Sequence, residues 1–257
     1  MPLIAGLESP VHALVTGASS GIGLAAVAAL LQRSDVARVV AVARHAIAAP
    51  ALAALAADHA DRILRIDADL TRQTDRQRLA ETVRGDTGPL HLLFNAAGLL
   101  HAEGLQPEKS LAQLNEDALQ RSFALNAFAP ILLVQALLPL FDAKQPGVIA
   151  SLSARVGSIA DNALGGWYSY RAAKAAQNQL MRTLAVELKR SHSKLTVLQL
   201  HPGTVDTPLS APFKARVPAG KLFSAEQSAK LLLQVIEASS AADSGRFLAY
   251  DGTEIPW

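Results

Sequence analysis

A tyrosine and a lysine, Tyr170 and Lys174, lie four residues apart in a segment whose pattern predicts a helix. Side chains at i and i+4 share one helix face, so we expect the phenol and the ammonium to be neighbours. A free phenol has a pKa of about 10, and a nearby ammonium lowers that pKa by stabilising the phenolate. The pair therefore predicts acid–base chemistry by Tyr170. Tyr168 has no such partner, because Ala172 stands four residues after it.

A glycine-rich turn follows the first predicted strand. Glycines permit a tight turn and let backbone N–H groups approach a pyrophosphate, and a helix N-terminus adds unpaired donors. The two serines of the turn add hydroxyl donors. Because the turn stands directly between a strand and a helix, it predicts a dinucleotide site. The turn reads Gly17, Ala18, Ser19, Ser20, Gly21, Ile22, Gly23.

The second predicted strand ends in a sequence that indicates the type of nicotinamide cofactor. About 20 residues after the glycines, an acid selects NAD, whereas an arginine accommodates the 2′-phosphate of NADP. This position holds Ala43, followed by Arg44 and His45, with no acid. A guanidinium can bind phosphate through two hydrogen bonds and stack on adenine. Arg44 therefore predicts NADP.

The segment TGASSGIG, residues 16–23, resembles the cofactor turn of the short-chain dehydrogenase/reductase family. Further matches follow in the family's order over nearly the whole chain. The segment 157–176 and the ending EIPW are most similar to the branch of bacterial C-factor-type proteins. The matching residues are Asp69, Asn95, Ala96, Ala97, Gly98, Asn126, Tyr170, Lys174, Pro202 and Gly203.

The resemblance implies a role for each match. Tyr170 would exchange a proton with the substrate oxygen, and Lys174 would also hold the nicotinamide ribose. Asp69, with Leu70 beside it, would contact the adenine. The end of the fourth strand, residues 95–98, would pass close beside the cofactor. The segment after the sixth strand would contact the nicotinamide carboxamide through Pro202, Gly203, Thr204, Val205 and Thr207.

Asn126 matches the asparagine that the family uses in a proton relay. Pro130 lies four residues later and has no N–H, so it cannot bond the carbonyl of Asn126. A carbonyl freed in this way could hold a water between Lys174 and bulk solvent.

The family's serine, which bonds the substrate oxygen, has no direct counterpart. An alignment of the fifth strand without gaps places Ala154 there, with Ser153 one residue early. Neighbouring residues of a strand point to opposite faces, so Ser153 serves only if a bulge at the strand end re-aims it. We expect that bulge, with Ser153 as a catalytic residue. Ser158, from an insertion before Tyr170, is the other candidate.

Short apolar runs alternate with longer Ala/Leu-rich segments along the chain. Continuous apolar strands are typical of parallel sheets covered on both faces. The alternation predicts one α/β domain over residues 1–257, a doubly wound, seven-stranded parallel sheet of the Rossmann type. A lid-like loop is predicted at about 202–224, where prolines and glycines accompany apolar side chains. Predicted strands are 11–16, 38–42, 63–66, 90–95, 148–152, 195–200 and 246–249, and predicted helices are 21–32, 50–59, 74–83, 116–141, 168–189 and 225–239.

Composition argues against several classes of protein. A charge of +2 with no basic run predicts no nucleic-acid partner, and the lack of cysteine excludes disulfides. The seven histidines show no metal-ligand spacing, so no metal is expected. The apolar stretch 131–141 is shorter than the roughly 20 residues that span a bilayer. With no signal-peptide pattern at the N-terminus, a cytoplasmic protein without membrane partners is expected.

These features predict an NADP(H)-dependent oxidoreductase that interconverts a carbonyl and an alcohol on a small, largely apolar substrate. The alternative is a cofactor-binding signalling or regulatory protein with weak or no turnover. The long apolar helices at 116–141 and 168–189 correspond to the family's subunit interface, which implies a homodimer or a homotetramer.

Overall fold

A computed structural model describes residues 1–212 and 220–257. Its central sheet has seven strands, all parallel, and confirms the predicted doubly wound fold. These seven strands are β1 Val11–Thr16, β2 Val36–Ala43, β3 Ile63–Asp67, β4 Leu92–Asn95, β5 Gly147–Leu152, β6 Leu195–His201 and β9 Arg246–Ala249, and a separate pair is formed by β7 Thr204–Val205 and β8 Leu222–Phe223. The helices are α1 Gly21–Leu31, α2 Pro50–Asp58, α3 Gln73–Asp86, α4 Glu116–Phe123, α5 Ala129–Leu137, α6 Tyr168–Ser191 and α7 Ala225–Ala238.

The strand order positions the functional cleft. The sheet runs β3-β2-β1-β4-β5-β6-β9, so the chain reverses direction across the sheet between β1 and β4. In open α/β sheets, ligands bind outside the carboxyl ends of the strands at this switch point. The glycine turn after β1 and the segment after β4 are therefore adjacent.

Helices cover both faces of the sheet, as the continuous apolar strands predict. On β1, Ala13 and Val15 enter one hydrophobic cluster, whereas Leu14 enters the other. The first cluster includes side chains of α1 and α7, and the second includes side chains of α3, α5 and α6. Because successive side chains of a strand point to opposite faces, β1 contributes to the hydrophobic core on each side of the sheet.

The predicted helix 116–141 is not continuous, which corrects that prediction. A π-helical turn, Ala124–Phe128, separates α4 from α5, and a 3₁₀ turn, Leu138–Leu140, ends the helical region. Pro130 cannot donate to the carbonyl four residues before it, so the regular bonding pattern is interrupted here. By length and composition alone, Glu116–Leu140 could cross a membrane, but 44% of its most apolar window is buried inside the protein.

The predicted bulge at the end of β5 is also absent. The register between β5 and β6 continues without a shift to Leu152, where the strand ends. Ser153 follows immediately, and its backbone N–H donates to the Leu200 carbonyl at 2.8 Å.

The predicted loop 202–224 is described in part. Within it, β7 and β8 pair in parallel as a two-stranded sheet. Phe213, Val217 and Pro218, which contributed to the lid prediction, lie outside the described residues.

Candidate active site

A cleft of about 660 Å³ opens at the carboxyl ends of the strands. It brings together most of the predicted site residues, from the glycine turn after β1 to the segment after β6. These lining residues are Gly17, Ser19, Ser20, Gly21, Ile22, Gly23, Arg44, Asp69, Leu70, Ala96, Ala97, Gly98, Ser153, Tyr170, Lys174, Pro202 and Thr207. The predicted residues outside the lining are Asn95, Asn126, Gly203, Thr204 and Val205.

The glycine turn requires glycine at two positions. Gly17 has φ +64°, and a Cβ there would lie 2.8 Å from the Ala97 nitrogen. A Cβ on Gly23 would lie 2.3 Å from the Gly17 oxygen. At the start of α1, Ser20 makes no side-chain capping bond. The backbone is therefore tightly folded, and the helix N-terminus is suited to accept an anion.

Arg44 and Asp69 lie at one end of the cleft. The Arg44 side chain is exposed and lines the cleft. The Asp69 carboxylate accepts bonds from Thr71 through its backbone N–H (3.0 Å) and its hydroxyl (2.6 Å). Burial raises the pKa of Asp69, but the Thr71 bonds, with Arg72 and Arg44, outweigh burial and hold the pKa below its usual value. Asp69 is thus a charged, oriented acceptor.

Thr16, which sequence reasoning missed, holds β4 beside the glycine turn. Its hydroxyl oxygen accepts the backbone N–H groups of Ala96 (3.1 Å) and Ala97 (3.3 Å). Asn95 instead points within the sheet, where its amide donates to the Ser151 hydroxyl at 3.1 Å. Asn95 therefore supports the cleft without lining it.

The half-buried Tyr170 and the buried Lys174 lie together on one face of α6. The Lys174 Nζ lies 5.9 Å from the centroid of the Tyr170 ring. Burial raises the pKa of Tyr170, so the expected lowering of that pKa is wrong for the protein alone. Burial also lowers the pKa of Lys174 to about 7. At neutral pH the site therefore holds a protonated phenol beside a lysine that is close to its titration midpoint.

Glu108 fixes the start of α6 and was not identified from sequence. Trp167, just before the helix, has φ +52° and provides no side-chain cap. The buried Glu108 carboxylate instead accepts the Ser169 backbone N–H at 3.2 Å and also the Ser169 hydroxyl. An acidic group at a helix N-terminus is favourable. No local motif could reveal this contact, because 61 residues separate the partners.

Asn126 uses its side chain to hold the loop after β4. Its Oδ1 accepts from the Leu99 N–H at 2.8 Å, and its Nδ2 donates to the Leu99 carbonyl at 2.7 Å. The residue is fully buried within the π-helical turn. Such turns are frequent at functional sites. Asn126 therefore shapes the cleft wall from behind Gly98, whose added Cβ would lie 3.5 Å from the Asn126 Oδ1.

Ser153 borders the cleft, but its hydroxyl proton is already bonded. Its Oγ donates to the Asn178 Oδ1 on α6 at 2.6 Å. Ser158, the other candidate, is buried away from the lining, and its Oγ accepts the Asp161 N–H at 3.1 Å. Ala154 is also absent from the lining. Of the candidate hydroxyl groups, that of Ser153 thus lines the same cleft as Tyr170.

The segment after β6 crosses the cleft. Thr207 lies against the glycine turn, because a Cβ on Gly21 would be 3.1 Å from the Thr207 Cγ2. Next to Thr207, the Pro208 carbonyl accepts a hydrogen bond from the Nε2 of His101, in the loop after β4, at 3.0 Å. Thr204 and Val205 pair with β8 instead of lining the cleft. The segment therefore links the turn after β1 to the loop after β4.

The sequence model of the family described as short chain dehydrogenase matches residues 11–217. The chain belongs to this family. This membership confirms the resemblance seen in the sequence and makes the protein an oxidoreductase of the short-chain dehydrogenase type.

Two known proteins and one solved structure are similar to this short-chain dehydrogenase. The C-signal of Myxococcus xanthus is 37% identical over 171 residues, 66% of this chain and 95% of that protein. The norsolorinic acid ketoreductase of Aspergillus parasiticus is 30% identical over 252 residues, 95% of this chain and 90% of that enzyme. The structure of an NADPH-bound carbonyl reductase from chicken fatty liver is 29% identical in sequence, with a TM-score of 0.84, and the match covers 97% of this chain and 100% of that chain.

Proposed function

We propose that this short-chain dehydrogenase is an NADP(H)-dependent oxidoreductase that interconverts a carbonyl and an alcohol. The observation that carries the proposal is one continuous cleft with Arg44 at one end and, at the other, the half-buried Tyr170 beside the buried Lys174. The NADPH bound to the chicken carbonyl reductase supports the cofactor, and the A. parasiticus ketoreductase supports the reaction.

The residues of the cleft fit a dinucleotide. The backbone of the glycine turn and the start of α1 would hold the pyrophosphate. Arg44 would bind the 2′-phosphate, Asp69 with Leu70 would contact the adenine, and Lys174 would hold the nicotinamide ribose. Pro202 and Thr207 would contact the carboxamide end. When bound, the cofactor supplies or accepts the hydride.

This chain's own residues supply the proton and the shape of the site. Tyr170 carries the phenolic proton at the substrate oxygen, and its raised pKa keeps that proton in place until the oxygen becomes basic. Ser153 would donate a hydrogen bond to the same oxygen, and Asn126 would hold a relay water on its carbonyl. The substrate would be small and largely apolar, because Leu99, Leu152 and Leu209 line the cleft.

The test of the reaction is NADPH consumption against a panel of aldehydes and ketones of increasing apolar size. Wild-type turnover that rises for compact apolar carbonyls supports the proposal. Tight NADPH binding with no turnover on any member of the panel would favour the signalling alternative.

We expect Arg44→Ala to lower kcat/KM with NADPH by about tenfold to a hundredfold, because a charge-assisted bond is worth roughly 1.5–3 kcal/mol. The value with NADH should stay within about twofold of wild type. Ala43→Asp combined with Arg44→Ala should shift preference toward NADH, since a carboxylate accepts from the ribose 2′-OH.

Arg72→Ala is the matched control for this prediction. Arg72 is also exposed, and its guanidinium forms an ion pair with Asp69 at 3.7 Å, but it does not line the cleft. Its loss should leave the cofactor preference unchanged. Equal use of both cofactors by the wild type contradicts the assignment of Arg44.

We further propose a homodimer or a homotetramer that buries α4, α5 and α6 against a partner copy. Phe128, in the π-helical turn between α4 and α5, and Val186, on α6, have exposed apolar side chains, at 49% and 54%. Static light scattering at micromolar concentration should give at least twice the monomer mass. Phe128→Asp with Val186→Asp should give monomer, whereas Ile47→Asp, at an exposed apolar position elsewhere, should not. A monomeric wild type contradicts the proposal.

A further inference from the structure

A chain of buried side-chain amides leads from Lys174 into the sheet. The Lys174 Nζ donates to the Gln177 Oε1 at 2.9 Å, and the Gln177 Nε2 donates to the Gln199 Oε1 at 2.9 Å. The Gln199 Nε2 in turn donates to the Leu198 carbonyl at 3.1 Å. Gln177 and Gln199 are 1% and 2% exposed. Neither glutamine has a contact with the cofactor or the substrate in the proposed function.

The chain has a fixed direction. A side-chain amide has one acceptor end and one donor end. Because Gln199 gives its NH₂ group to a backbone carbonyl, its oxygen must face Gln177. The NH₂ group of Gln177 also donates to the Leu152 carbonyl at 3.3 Å. Its oxygen therefore faces Lys174, which meets two acceptors: that oxygen and the Leu152 carbonyl, at 2.7 Å.

These two oxygens are the acceptors that the buried Lys174 Nζ bonds. Burial lowers its pKa to about 7, and no charged side chain in the described part of the chain counters that effect. Tyr170 is the titratable group that faces it from α6. On the 3₁₀ turn Arg155–Gly157, which packs against α6, the Arg155 guanidinium pairs with Asp161. The Arg155 backbone N–H donates to the Nδ1 of His201, at the end of β6, at 3.4 Å. On the packed helix α4, Glu116 and Asp117 are exposed, and the half-buried Arg121, which lines the cleft, pairs with Asp117 at 3.5 Å.

We propose that Gln177 is a positioning residue for Lys174, and that its amide oxygen, oriented by Gln199, accepts a bond from the lysine and raises the fraction that is in the ammonium form at the reacting end of the cleft. This inference rests on the role of Lys174 in the proposed function. It adds that the side chain which favours the charged lysine is one of a neutral amide pair and not a carboxylate. An ammonium bonds such acceptors more strongly than a neutral amine does, so losing an acceptor favours deprotonation.

The test is an NMR titration of the Lys174 ammonium in protein labelled with ¹⁵N-lysine. The signal is assigned by its loss in Lys174→Arg. Gln177→Leu should lower the titration midpoint by about one pH unit, because one bond to the charged form is lost. Gln177→Glu should raise it by about one unit, since a carboxylate favours the ammonium. Opposite shifts from one position are not expected of a side chain that only fills space.

Two further variants test the direction of the chain. Gln199→Leu should lower the midpoint less than Gln177→Leu does, and the double variant should shift no further than Gln177→Leu alone. Gln179→Leu is the matched control, because Gln179 is exposed on the same helix and bonds Thr183. It should leave the midpoint unchanged. If Gln177→Leu does not fold, Gln177→Glu and Gln199→Leu decide the question.

The same shifts should be visible in the pH dependence of reduction. Reduction requires the ammonium, so kcat/KM falls as pH rises through the pKa of Lys174. That limb should move to lower pH in Gln177→Leu and to higher pH in Gln177→Glu. Midpoints within about 0.2 unit of wild type in both variants overturn the proposal. Because the NMR titration needs no turnover, its outcome is independent of whether the proposed reductase activity is found.

Discussion

Replacing Tyr170 by phenylalanine is expected to lower kcat for carbonyl reduction by about 10²–10⁴-fold, the usual contribution of a positioned general acid. The variant removes only the phenolic O–H from the cleft. Its ring can keep the edge-on contact with Trp167, whose centroid lies 6.3 Å away. NADPH affinity, measured by fluorescence titration, should therefore change by less than about twofold. The comparison of kcat with the dissociation constant separates a chemical loss from a binding loss.

Tyr168→Phe is the matched control for this result. Tyr168 is two residues before Tyr170 and therefore points to the other side of α6. It is 39% exposed and does not line the cleft, and Ala172 stands where Tyr170 has Lys174. Its loss should leave kcat near the wild-type value. Equal kcat for Tyr170→Phe and wild type would falsify the catalytic assignment and, with it, the proposed enzyme function.

The fold could be predicted closely because its signals are local. β1 and β9 have the predicted bounds, since each is an apolar run ended by turn-forming residues. α3 extends beyond its predicted end to Asp86, because its last turn is polar and has no apolar periodicity. The missing N–H of Pro130 was visible in the sequence. The π-helical turn that forms there could not be predicted, because it depends on packing against α6 and on the bond between Asn126 and the loop that follows β4.

The cleft could be predicted by position but not by its internal bonds. The glycine turn, Arg44 and the Tyr170–Lys174 pair are each recognisable within a few residues of sequence. The contacts that orient them join distant segments: Glu108 with Ser169, and Gln177 with Gln199. Burial also reverses the expected direction of the Tyr170 pKa, because a sequence pattern shows the neighbouring ammonium and not the loss of water.

Ser153→Ala is expected to lower kcat by about 10²–10³-fold, the usual effect of removing one donor to a developing oxyanion, while NADPH binding stays unchanged. No strand bulge is needed for this role, because the strand ends at Leu152 and Ser153 already borders the cleft. What must change is the bond of its hydroxyl to Asn178. A half-turn of the Asn178 amide would present Nδ2 to the serine oxygen and free the O–H for the substrate, at the loss of the 3.5 Å contact with the Gly157 carbonyl.

Asn178→Asp tests that half-turn directly. A carboxylate only accepts, so it would keep the Ser153 proton, and kcat should fall about as far as in Ser153→Ala. Ser158→Ala is the control, because Ser158 is also buried but lies outside the cleft lining, and its kcat should match wild type. Ala154→Ser should likewise change little, since the donor is already supplied. A near-silent Ser153→Ala together with a faster Ala154→Ser would show instead that the substrate oxygen lies opposite Ala154, where this chain has no hydroxyl.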